Sequence, residues 1–106
     1  MKDVMRNYCV NVLLGKPRRT FSTLCGLCRC SKTLWLTDRA PLYARLMGVK
    51  VLTPPMTDAS LENELWRIAE QYEGKILTLI PADPKMKDFA EKNKDRLEQS
   101  YRMNIK

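Results

Sequence analysis

The chain has 106 residues, 44% of them hydrophobic, which suits one domain with its own core. Nineteen Lys and Arg against 12 Asp and Glu leave a formal charge of +7, and the absence of histidine excludes His-based triads, His general bases and His-bearing metal sites. Lys16, Arg18, Arg19, Arg29, Lys32 and Arg39 punctuate the most apolar half, so no window offers the about 20 uninterrupted apolar residues of a membrane span.

Residues 8–14 are short, β-branched and nearly all apolar, and they meet Gly15 and then Lys16-Pro17-Arg18-Arg19; this predicts a buried strand followed by a basic loop. Across residues 20–36 the apolar positions Phe21, Leu24, Leu27, Cys28, Leu34 and Trp35 follow a helix-like period, with Ser22 as an N-cap. Asp38 is expected to cap a short helix through Leu42, Tyr43 and Leu46, which Gly48 terminates. Residues 49–53 read as a second strand, stopped by Pro54-Pro55. Thr57 or Asp58 then caps a helix whose Leu61, Leu65, Ile68 and Tyr72 share one face, with Gly74 as terminator. Residues 75–80 are apolar and bounded by Gly74 and Pro81, the pattern of a third buried strand. Asp83-Pro84 is an N-cap followed by an N1 proline, and Met86, Phe89, Ala90, Asn93, Leu97 and Tyr101 give the last helix its inward stripe, with fraying beyond Tyr101.

The order β-α-α-β-α-β-α predicts a small single α/β domain: three short, mainly parallel strands covered on both faces by three to four helices. In a parallel sheet residues 15–19, 53–58 and 81–84 all leave the strands on one edge, where open α/β sheets place their ligands.

Charge is polarised along the chain. Residues 1–50 hold ten cations and two anions, net +8, while residues 51–106 are near neutral at −1. The expected anion-binding or nucleic-acid-binding residues are therefore Lys16, Arg18, Arg19, Arg29, Lys32 and Arg39. Residues 20–40 also fit a helix-turn-helix, with Ser31, Lys32 and Thr33 opening the reader helix, although the turn lacks its usual glycine. A second reading is a phosphate- or nucleotide-binding enzyme at the strand C-terminal edge, using Lys16, Arg18 and Thr20. It would not be a P-loop, because the GxxxxGK[ST] order is missing. Trp35 and Trp66 are expected as core or interface anchors, and Asp58 and Asp83 as helix caps.

All four cysteines fall in the basic half. Cys9, Cys25, Cys28 and Cys30 could form a four-cysteine zinc module, with Cys25 and Cys28 at chelating spacing; packing as reduced, buried thiols is the competing expectation. Residues 25–28, CGLC, also suit a dithiol at a helix N-terminus. Residues 65–81, LWRIAEQYEGKILTLIP, resemble the helix-to-strand junction that follows the active-site helix of thioredoxins, which implies a redox role for that dithiol.

The arginine-rich, acid-poor first 45 residues share the composition of a mitochondrial transit segment, against which the core-like residues 8–14 argue; no clean apolar stretch ends at a small-residue cleavage site as a secretory signal needs, so an intracellular, cytoplasmic protein is expected. The resulting expectation is a non-enzymatic, regulatory protein that binds nucleic acid or an acidic protein partner through its basic half.

Overall fold

A computed structural model of the chain describes residues 9–30 and 32–103. The elements are β1 (Cys9–Leu14), α1 (Thr20–Cys30), β2 (Lys32–Leu36), α2 (Leu42–Leu46), β3 (Lys50–Leu52), α3 (Asp58–Gln71), β4 (Ile76–Pro81), α4 (Pro84–Lys92), α5 (Lys94–Leu97) and β5 (Arg102–Met103). All strand pairs among the described residues are parallel, in the order β3-β2-β1-β4-β5. The α/β class and the near-continuous apolar strands are as expected. The pattern predicts three strands, however, and the sheet has five among the described residues.

Both additional strands come from segments with ambiguous patterns. Residues 32–36, expected to continue a helix and to open the reader helix of a helix-turn-helix, form β2 instead, with Thr33, Leu34, Trp35 and Leu36 all buried. A run buried on both faces has no polar side, so its spacing matches a helical stripe as well as a strand between two layers. No reader helix exists at this position. Of the residues after Tyr101, expected to fray, Arg102 and Met103 pair as β5 with Thr78 and Leu79 of β4, and residues 104–106 lie outside the described residues. The last helix breaks at Asn93, whose Nδ2 donates to the Phe89 carbonyl at 2.9 Å, and α5 follows as a separate turn.

Strand alternation sorts the core into two layers. Val10, Val12 and Leu14 of β1, with Leu34, Leu36, Leu77 and Leu79, face Leu61, Leu65 and Ile68 of α3 and Met86, Phe89 and Ala90 of α4. Leu13 and Trp35 point to the opposite face, against Leu24 of α1, Ala44 of α2 and Val49. Helices thus cover both faces, as parallel sheets require.

Capping explains which helices were legible. Of the two expected candidates, Thr57 is the cap of α3, accepting from the Ser60 N–H at 3.4 Å, and Asp83 accepts from the Met86 N–H at 2.9 Å as predicted. Ser22 lies inside α1, which begins at Thr20. Asp38 caps nothing: α2 starts after Pro41 with no side-chain cap, and its buried residue is Ala44.

Tyr101 closes the α3 face. Its hydroxyl donates to the Leu65 carbonyl at 2.6 Å, and burial, aided by the Glu64 charge, pushes its ionisation well above the ordinary value of 10.0. The folded state therefore keeps this proton where the unfolded chain releases it. Stability that is complete below the unfolded value is lost as pH rises toward the folded one. Tyr101→Phe is expected to flatten the alkaline limb of a stability-versus-pH curve measured by urea unfolding. Near neutral pH it costs about 1 kcal/mol, the net worth of one hydrogen bond.

Candidate functional site

The strand order reverses on either side of β1. β2 and β3 lie on one side of it and β4 and β5 on the other, so the C-terminal ends of β1 and β4 flank the switch point where doubly wound sheets open a ligand crevice. Here the crevice is tied shut from three directions.

Gly15 leaves β1 with φ +81°, a conformation glycine adopts without penalty. Its N–H donates to the Leu36 carbonyl at 2.9 Å, and its own carbonyl accepts from the indole N–H of buried Trp35 at 2.7 Å. Across the switch point, the Ala82 N–H donates to the Leu14 carbonyl at 2.8 Å. Asp83 completes the closure: Oδ2 accepts from the Lys16 N–H at 3.0 Å while Oδ1 caps α4. A Cβ on Gly15 would overlap the Asp83 carboxylate and come within 2.7 Å of Met86 Cγ. The Asp83 carboxylate thus occupies the place at the start of α4 where an anionic ligand would otherwise meet backbone N–H groups. Beside it remains a cleft of about 180 Å³ bounded by Lys16, Thr37, Asp38, Met56 and Lys85.

Asp38, expected as a cap, instead pairs with Lys16 Nζ at 3.2 Å, and buried Thr37 places its hydroxyl 3.3 Å from the same carboxylate oxygen. The hydrogen bond from Lys16 holds the Asp38 carboxyl below the ordinary carboxylate range. Attraction in this pair is present above that range and is lost as pH falls through the lowered value. Lys16→Ala should return Asp38 toward ordinary titration, read as a shift of its carboxyl resonance midpoint by NMR.

The six cations singled out in the sequence divide between two edges. Lys16, Arg18, Arg19 and Arg39 follow the C-terminal ends of β1 and β2, on the switch-point edge. Lys32 starts β2 at the other edge, roughly 13 Å away along the strand, and its Nζ sits 5.1 Å from the centre of the Tyr72 ring. Arg29 lies near the end of α1, on the Lys32 side; its side chain is outside the described residues. Among the described residues, Arg18, Arg19, Arg39 and Lys85 make no ion pair, and all four are exposed. The acidic residues on this edge are already engaged: Asp38 by Lys16, Asp58 by Lys92 at 3.7 Å, and Asp83 by backbone N–H groups.

The cysteines separate as well. Cys9 begins β1 and Cys25 lies in the middle of α1, both half-buried and free; the side chains of Cys28 and Cys30 are outside the described residues. No metal-ligand cluster occurs among the described residues. Residues 25–28 sit in the second half of α1, so the dithiol is not at a helix N-terminus as expected. The junction at residues 65–81 belongs to an all-parallel sheet, its helix packed with α4 on the face opposite α1.

Fold and edge together define a doubly wound α/β domain whose switch-point crevice is filled by its own carboxylate and flanked by exposed arginines. No family model, curated protein or solved structure matches the chain.

Proposed function

We propose that the protein is a non-enzymatic binding protein that engages a polyanion, a nucleic acid or the acidic surface of another protein, through the C-terminal edge of its sheet. The observation that carries this reading is the set of exposed cations Arg18, Arg19, Arg39 and Lys85, which make no ion pair among the described residues, on an edge where Asp38, Asp58 and Asp83 are engaged. Guanidinium groups in that state can meet phosphate or carboxylate without first breaking an internal pair. The closed crevice favours an extended partner lying across the edge over a small ligand within it.

Fluorescence anisotropy of the full chain with labelled single-stranded RNA, and separately with labelled poly-glutamate, tests the reading. Binding to at least one polymer should weaken with salt, and replacing Arg18, Arg19 and Arg39 together by alanine should reduce the salt slope for RNA by about 2. An unchanged slope, or no binding to either polymer at low salt, defeats the proposal.

A further inference from the structure

Exposed arginines account for attraction to any polyanion, but they leave a second feature unexplained. Among the described residues, Phe21, Leu42 and Leu46 are the large hydrophobic residues most open to solvent, at 58%, 77% and 81% exposure. They lie close together. Leu42 and Leu46 are i and i+4 on α2, opposite the buried Ala44, and Tyr43 between them packs edge-on against Phe21 at 5.4 Å. Each exposed side chain has a cation close by in the chain: Arg18 and Arg19 before Phe21, Arg39 before Leu42, and Arg45 beside Leu46. None of these arginines makes an ion pair among the described residues.

Exposure and charge narrow the occupant. Phe21, Leu42 and Leu46 are open to solvent and line none of the clefts near the switch point, between α3 and β3, or beside Trp66. A second copy docked on the same patch would bring both sets of arginines together, which like-charge repulsion opposes. Exposed apolar side chains with exposed arginines beside them in the chain match an anionic bilayer, which offers negative headgroups at its surface and hydrocarbon a few ångströms below. No helix among the described residues is long and apolar enough to cross a membrane, so the contact is peripheral.

We propose that the face formed by α2 and the first turn of α1 docks on anionic lipid bilayers, with Phe21, Leu42 and Leu46 entering the interface and Arg18, Arg19, Arg39 and Arg45 meeting the headgroups. This adds a second partner and rests on the same open arginines as the polyanion reading.

The test is co-sedimentation of the full chain with vesicles of phosphatidylcholine alone or mixed equally with phosphatidylserine. Binding is expected only to the mixed vesicles and should fall with salt. The double substitution Leu42→Ser/Leu46→Ser should reduce the partition coefficient by on the order of tenfold or more while RNA or poly-glutamate binding and circular dichroism stay unchanged. No binding to mixed vesicles overturns the proposal, and polyanion binding in the same preparation would leave the earlier reading intact. Vesicle binding insensitive to the leucine substitutions, or a dimer in solution that those substitutions dissolve, also overturns it. Loss of polyanion binding in the double variant would assign the patch to that partner and refute the lipid proposal.

Discussion

Gly15→Ala is expected to lower the unfolding free energy by about 3 kcal/mol and the melting temperature by on the order of 15 °C. Two costs combine. Holding a non-glycine residue at φ +81° costs about 1–2 kcal/mol, and the added methyl overlaps the Asp83 carboxylate, which must leave both the Lys16 N–H and the Met86 N–H it bridges. Loss of that cap accounts for about another 1–2 kcal/mol. Gly74→Ala is the control, because Gly74 has nearly the same φ, +86°, with open space where the methyl would go. Its expected cost is about 1–2 kcal/mol, the backbone strain alone. Urea unfolding of both variants separates strain from overlap. In the double variant with Asp83→Ala the two effects should fall short of their sum, since removing the carboxylate removes most of what the methyl meets.

Trp35→Ala should cost about 3–5 kcal/mol, enough to leave a domain of this size marginally folded at room temperature. Trp35 is 1% exposed, fills the layer between β2 and the α1–α2 side, and reaches past the sheet edge to the Gly15 carbonyl. Trp35→Phe retains most of the apolar volume and removes the donor, so about 2 kcal/mol is expected, chiefly from an unpaired buried carbonyl and a small cavity. A measured cost for Trp35→Phe near zero would show that the indole N–H does not hold the β1 exit loop. Because Trp35 and Asp83 grip adjacent groups of the same loop, Trp35→Phe and Asp83→Ala should couple when combined.

What could be read from the chain follows the range of the interactions involved. Thr57, Asp83-Pro84, the apolar face of α3 and Gly74 each depend on residues near them in sequence, and each takes its predicted role. β2 escapes because it is buried on both sides and carries no alternation. Residues 102 and 103 escape because a two-residue strand is defined by its partner, β4. Asp38 has the chemistry of a cap, yet α2 begins only after Pro41 and a lysine 22 residues earlier in the chain pairs with it instead. For the site, local pattern identifies cations but not which of them share an edge. Lys32 and Arg18 belong to one basic stretch of the chain, and a single strand's length sets them apart. The bond from the Lys16 N–H to Asp83 spans 67 residues and leaves no trace in either segment alone.

By itself the amino-acid sequence determined the α/β class, the absence of histidine chemistry, the polarity of charge between the two halves, and the helices whose caps are local. These depend on composition and on contacts between near neighbours. The tertiary structure alone decided that the order is β3-β2-β1-β4-β5, that the switch-point crevice closes on Asp83, that the cations divide between opposite edges, and that Leu42 and Leu46 face solvent. Each of those outcomes depends on which distant segments pair across the sheet, because parallel pairing places residues far apart in sequence at one edge.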